Sequence, residues 1–143
     1  MENGKLLLVD DEKGFLDTIT KRLEKREIKV QAVYSGEDAL VELKKNKDIE
    51  VVVLDVKMPG MDGIETLVEI KKSFPLMEVI MLTGHATVET AIDGMKLGAF
   101  DYLMKPCDID ALISKVREAI VKKKQHDEKI MEARIKEISD RMA

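Results

Sequence analysis

Apolar runs alternate with longer amphipathic stretches along this chain, and each run stops on a polar residue. Leu6-Leu7-Leu8-Val9 ends on Asp10 and Asp11, Val51-Val52-Val53-Leu54 on Asp55, Val79-Ile80-Met81-Leu82 on Thr83, and Phe100-Asp101-Tyr102-Leu103-Met104 on Lys105. Uninterrupted runs of this length suit strands buried on both faces of a parallel sheet. The pattern predicts strands over 5–9, 28–34, 50–54, 78–82 and 100–104. The second of these alternates (Ile-Lys-Val-Gln-Ala-Val-Tyr), which places it near a sheet edge. Helical spacing predicts helices over 12–26 (Phe15, Leu16, Ile19, Leu23), 36–46 behind a Ser35 cap (Ala39, Leu40, Leu43), 64–73 (Ile64, Leu67, Val68, Ile70) and 86–97, ended by Gly98. Met58-Pro59-Gly60-Met61-Asp62-Gly63 reads as a turn-rich loop. Five βα units follow, an α/β fold whose right-handed crossovers place helices on both faces of the sheet.

The last helix, capped by Asp108, is longer than the pattern needs. Ile109, Leu112, Ile113, Val116 and Ile120 form a core-facing stripe, residues 122–129 interrupt it, and Ile130 or Met131, Ile135, Ile138 and Met142 resume it at spacings of 3–4. The chain therefore divides into a domain over 1–122 and a helical extension or linker over 123–143. The extension reads as a connector to a further domain, as a short pairing helix, or as a solvated, fraying tail.

Ligands of such sheets bind in the crevice outside the carboxyl ends of the strands. Three carboxylates (Asp10, Asp11, Asp55), a hydroxyl (Thr83) and an ammonium (Lys105) are thus expected to meet there. Carboxylates about 5 Å apart repel by about 3 kcal/mol per pair at an effective dielectric of about 20. A hard divalent cation removes that penalty, and all-oxygen ligands suit Mg²⁺ better than zinc or iron. Asp55 ends the most apolar strand and is presented rigidly; a carboxylate so placed can attack phosphorus to give an acyl phosphate. Lys105 can offset charge on the transferring group, and Thr83 can donate to one of its oxygens. A cis Lys105-Pro106 bond, the minority state of X-Pro bonds, would aim the Lys105 side chain back into the crevice. One such residue alone is more often a cap or a solvated side chain; the full set at separate strand ends is not explained that way.

Composition narrows the classes. The 143 residues are 36% charged and 45% hydrophobic with net charge −4, a globular balance that disfavours general nucleic-acid or anionic-membrane binding. One cysteine, Cys107, excludes a disulfide framework, and the first residues match no signal peptide, so a cytoplasmic location is expected. No apolar stretch approaches a membrane span. The loop Asp10-Asp11-Glu12-Lys13-Gly14 is acidic and is not a phosphate-cradling glycine loop.

With Asp10-Asp11, Asp55 followed by Met58-Pro59-Gly60-Met61-Asp62-Gly63, Thr83-Gly84, and the segment Gly98 to Pro106 in place, the chain resembles the receiver domain of two-component response regulators over residues 4–122. The resemblance implies a flavodoxin-like three-layer sandwich with strand order 2-1-3-4-5. It implies that Asp55 accepts a phosphoryl group from a cognate sensor histidine kinase. It also implies Mg²⁺ held by Asp10, Asp11, Asp55 and the backbone carbonyl of Lys57, with Thr83 and Lys105 sensing the phosphoryl. Thr83 then moves, Tyr102 turns inward, and the surface of the fourth helix, fifth strand and fifth helix changes. The implied role is a signalling phosphoacceptor that catalyses only its own phosphorylation and dephosphorylation. Its partners would be an output domain or downstream protein, and a second copy through that surface or the C-terminal helix. The Phe100-to-Pro106 segment and the long last helix resemble receivers that precede ATPase-type transcription activators. The expectation is either a stand-alone regulator or the first part of a longer protein, with no direct nucleic-acid contact by this stretch.

Other readings compete. A haloacid-dehalogenase-type phosphotransferase wants a second acid two residues after the nucleophile, where Lys57 stands. A flavin carrier wants a hydroxyl-rich first loop and stacking aromatics, and the chain has no Trp. A receiver-like module that only mediates contacts would not need Asp55. Tyr102 read on its own is a partly buried strand aromatic. Lys57 and His85 stand two residues beyond Asp55 and Thr83, where the family tunes water access to the phosphoryl group; His85 is equally read as a loop histidine. His126 and Lys122–Lys124 read as solvated helix surface, Cys107 as a buried or half-buried small residue, and most of the nine methionines as core filler.

Overall fold

A computed structural model describes residues 5–142. Residues 1–4 and 143, which the sequence reading places at the two ends of the chain, lie outside the described residues. In order, the elements are β1 (Lys5–Val9), α1 (Lys13–Glu24), β2 (Lys29–Val33), α2 (Gly36–Lys45), β3 (Ile49–Leu54), α3 (Gly63–Ser73), β4 (Glu78–Thr83), α4 (Val88–Lys96), β5 (Asp101–Met104) and α5 (Ile109–Met142). The strands form one parallel sheet in the order β2-β1-β3-β4-β5, the order the family resemblance implies.

Successive side chains of a strand point to opposite faces, so each apolar run feeds two cores. Leu6, Leu8, Val51, Val53, Ile80 and Leu82 pack on one face with α1 and α5; Leu7, Val9, Val52, Leu54, Val79 and Met81 pack on the other with α2 and α3. α4 joins the second face, where Gly94 approaches Met81 and Tyr102. β2 is the half-exposed edge its alternation predicts.

The helix ends follow local chemistry. Ser35 Oγ accepts from the Asp38 N–H at 3.1 Å, and Asp108 Oδ2 from the Ala111 N–H at 3.3 Å. α1 stops two residues before its predicted end. Glu27 adopts φ +64°, the Ile28 N–H reaches back to the Leu23 carbonyl at 3.2 Å and the Glu27 N–H to the Glu24 carbonyl at 2.9 Å, a Schellman closure without its usual glycine. α4 begins at Val88 rather than 86, because Thr87 caps it. Gly98, at φ +104°, ends it as the sequence implies.

α5 does not break at 122–129. It runs 34 residues, its buried side chains end at Ile120, and Ile130, Met131, Ile135, Ile138 and Met142 are exposed. At 1.5 Å per residue the stretch after Ile120 extends about 33 Å. Its ion pairs Lys123–Asp127 and Glu137–Arg141 are helical i,i+4 pairs. Where α5 leaves the sheet, Glu78 at the start of β4 is 3% exposed. Lys71 Nζ stands 3.9 Å from its Oε1 and Lys122 Nζ 3.2 Å from its Oε2; the second contact lacks hydrogen-bond geometry, so that oxygen is charge-paired only. Burial, with Lys122 nearby, pulls the Lys71 ammonium below the usual lysine range against the raising effect of Glu78. Among the described residues no helix is long and apolar enough to cross a membrane.

Candidate functional site

The carboxyl ends of β1, β3, β4 and β5 deliver the expected side chains. Asp10 and Asp55 are each 2% exposed, whereas Asp11 is open to solvent. One carboxylate oxygen from each of the three lies within 4.8 Å of the others. At that separation the buried pair Asp10 and Asp55 repels by about 3 kcal/mol at an effective dielectric of about 20, and solvent screening leaves the exposed Asp11 a smaller share. The donors are all oxygens with one ligand facing solvent, which fits a hard divalent cation that keeps water.

Lys105 supplies the positive charge. Its Nζ donates to Asp10 Oδ2 at 2.6 Å and Glu12 Oε1 at 3.3 Å, and stands 3.8 Å from Asp55 Oδ2. The same ammonium lies 4.0 Å from the centre of the Phe15 ring. The Lys105–Pro106 peptide is cis, as the sequence reading anticipates. Burial pushes the Asp10 carboxyl up, hydrogen bonds from Lys105 and the Glu12 N–H pull it down, and the Asp55 charge adds to the rise. For Lys105 burial works downward, but Asp10, Asp55 and Glu12 outweigh it and hold the ammonium above the usual lysine range.

The backbone sets the aim of each group. Asp55 Oδ1 accepts from the Val56 N–H at 2.8 Å, which fixes the carboxylate, and the Asp55 N–H donates to the Val9 carbonyl at 3.0 Å, which ties the two acidic strand ends together. Asp10 Oδ1 accepts from the Glu12 N–H at 2.9 Å. Thr83 is fully buried, and its Oγ1 accepts from the His85 N–H at 3.0 Å. Gly63 opens α3 against the β3 end: a Cβ there would overlap the Asp55 carbonyl oxygen and lie 2.6 Å from Val56 Cα. Lys57 is exposed and, with Asp11, Glu12, Met58, Pro59 and His85, lines a cleft of about 470 Å³ in front of the acids. Tyr102 is half-buried, and its hydroxyl lies 2.7 Å from Thr90 Oγ1. A larger cleft of about 900 Å³, beside Arg26, Phe100, Asp110 and Arg117, lies along α5 away from these groups.

Asp10, Asp11, Asp55 and Lys105 are thus gathered as the sequence reading expects, with Thr83 on the adjacent strand. The sequence pattern assigns Phe15 only to the core and does not single out Glu12 as a Lys105 partner, Gly63 as a contact requirement, or Thr90. Glycine directly after Asp62, opening a helix, was the available signal for Gly63.

Residues 6–117 match the family model of the response regulator receiver domain. The transcriptional regulatory protein ZraR of Salmonella typhimurium is 38% identical over 122 residues, covering 84% of this chain and 27% of that protein. The DNA-binding transcriptional regulator NtrC of Escherichia coli is 34% identical over 120 residues, covering 84% and 25%. The chain therefore spans about a quarter of the length of these curated relatives. A receiver domain protein of Clostridium thermocellum superposes with a TM-score of 0.81 at 41% identity, over 85% of this chain and 98% of that one. With its strand order, its acidic crevice and these relatives in agreement, the chain belongs to the response regulator receiver domain family.

Proposed function

We propose that Asp55 is the phosphoacceptor of this receiver, taking a phosphoryl group from the phosphohistidine of a sensor histidine kinase. The observation that carries the reading is the buried, backbone-fixed Asp55 carboxylate, held between an acidic pair and the Lys105 ammonium 3.8 Å away. An Asp55 oxygen attacks phosphorus, the phosphorus–nitrogen bond breaks, and the histidine ring leaves with the bonding pair. Lys105 gives up contact with Asp10 to meet the arriving negative charge, and the buried Thr83 hydroxyl turns to donate to a phosphoryl oxygen. Asp10, Asp11, Asp55 and the Lys57 carbonyl would hold Mg²⁺. Bound there, that ion supplies charge neutralisation for the transferring group. The open cleft beside Lys57 and His85 admits the water that later hydrolyses the acyl phosphate. In this reading the domain catalyses its own phosphorylation and dephosphorylation and acts as a signalling phosphoacceptor.

The output is a changed surface. Val88, Ile92, Met95, Leu97 and Met104 already expose apolar area on α4 and β5, and Ile135, Ile138 and Met142 do so on α5. These are the places for a downstream domain or a second copy to bind, with residues 123–143 as the connecting extension of a cytoplasmic regulator of transcription. The test is intact mass after incubation with acetyl phosphate, with and without Mg²⁺. The reading expects one phosphoryl group, only with Mg²⁺, removed by hydroxylamine; a Mg²⁺-independent or hydroxylamine-stable adduct would refute it.

A further inference from the structure

The start of α4 carries a cluster of hydroxyls that the phosphoacceptor reading does not use. Thr87 Oγ1 accepts from the Thr90 N–H at 3.0 Å, and Thr90 Oγ1 accepts from the Thr87 N–H at 3.1 Å, a reciprocal cap of the helix. Thr90 Oγ1 also lies 3.1 Å from the Thr87 carbonyl, 3.0 Å from Thr87 Oγ1 and 2.7 Å from the Tyr102 hydroxyl. A hydroxyl offers one proton and two lone pairs. Those contacts exceed that capacity by one, so Thr90 cannot bond the Thr87 hydroxyl and Tyr102 together while it keeps its bonds to the Thr87 backbone.

The ring of Tyr102 has a seat on the same helix face. Thr90 and Gly94 are one turn apart and point the same way. A Cβ at Gly94 would stand 3.4 Å from Tyr102 Cδ2, ordinary van der Waals contact, so the ring packs beside α4 at this position with its hydroxyl on Thr90. The cap is also near the site: the His85 N–H that bonds Thr83 Oγ1 precedes Thr87 by two residues.

We propose that Thr90 is a positioning residue that ties the place of Tyr102 to the N-terminal cap of α4. With the phenol docked, Thr90 takes its proton on one lone pair and the Thr87 N–H on the other, leaving its own proton for the Thr87 carbonyl. With the phenol withdrawn, the freed lone pair turns to the Thr87 hydroxyl and the first turn of α4 is held differently. Only the trigger rests on the Asp55 reading; the coupling is a property of the unphosphorylated chain.

Amide hydrogen exchange at Thr90 and Ala91, read by NMR in the unphosphorylated chain, tests it through Tyr102→Phe made in three backgrounds. In the wild type, Tyr102→Phe should change exchange by about fivefold, the equivalent of about one net hydrogen bond. In Thr90→Val it should do nothing further, and Thr90→Ser should restore the sensitivity. Equal effects of Tyr102→Phe in all backgrounds, or none in any, would overturn the proposal. The same samples with acetyl phosphate and Mg²⁺ separate the two readings by intact mass. If the wild type takes an adduct, its α4 amides should respond and those of Thr90→Val should not; an equal response in both counts against Thr90. If the wild type takes none, the contact-only module and a strict need for the kinase remain for Asp55, while the exchange comparison still decides the role of Thr90.

Discussion

Lys105→Met removes the ammonium from beneath two buried carboxylates while keeping the apolar stem. Nζ lies 2.6 Å from Asp10 and 3.8 Å from Asp55, and the two acids are nearly as buried as core residues. At an effective dielectric of about 20 the gross attraction exceeds about 10 kcal/mol. Desolvation of the three ions takes back most of it, and breaking a buried pair typically costs about 3–5 kcal/mol. Protonation sets an independent ceiling. A stranded carboxyl of ordinary pKa 3.8 can take a proton at pH 7 for about 4 kcal/mol, and at pH 5 for only about 2 kcal/mol. Asp10 already has its pKa raised, so its stabilising protonated form returns as pH falls and the ceiling drops further in that direction. Urea unfolding without metal should show a loss of about 3–4 kcal/mol at pH 7, about 10 °C in melting temperature, shrinking to about half or less at pH 5. Added Mg²⁺ should stabilise the variant more than the wild type, because the ion replaces the missing charge. An equal loss at both pH values would refute this reasoning and assign the effect to the lost contact of the ammonium with the Phe15 ring. No loss at all would mean that the carboxylates are hydrated and need no counter-charge.

Three further outcomes follow from the same geometry. Asp11→Asn relieves repulsion from an exposed acid and should raise the metal-free melting temperature by a few degrees, under about 1 kcal/mol after solvent screening, while flattening the Mg²⁺ gain; a drop with the gain intact would make Asp11 a structural residue. Gly63→Ala forces α3 away from the Asp55 backbone and should cost about 3 kcal/mol and slow phosphorylation, checked by chemical denaturation and acetyl-phosphate kinetics. Glu78→Gln leaves Lys71 and Lys122 without their shared anion and should cost about 2 kcal/mol in urea unfolding, with faster amide exchange in α5 near residue 122; unchanged exchange there would mean that Glu78 does not anchor that helix.

Much of this was legible because a buried parallel sheet writes itself as apolar runs whose last residues face one crevice. Asp10, Asp55, Thr83 and Lys105 were found by that rule alone, before any resemblance. Helix starts shifted where capping side chains decide them, as with Thr87, and α1 closed early on Glu27, a residue with no obvious signal for positive φ. The tail was harder: residues 122–129 lose the apolar stripe, but a helix needs local propensity and i,i+4 charge pairs as well, and α5 continues on those. Contacts between elements distant in sequence, such as Phe15 under Lys105 or Tyr102 on Thr90, depend on how helices lie on the sheet and leave no periodic trace.

The most direct test of the central claim is where the phosphoryl group sits. Borohydride reduces an acyl phosphate to an alcohol, so the phosphorylated chain, reduced and digested, should yield homoserine at position 55 and nowhere else. Asp10 and Asp11 should be recovered unchanged, and the unphosphorylated control should yield none. Reduction at Asp10 or Asp11, or a phosphoryl group found on a histidine or hydroxyl, would contradict the account.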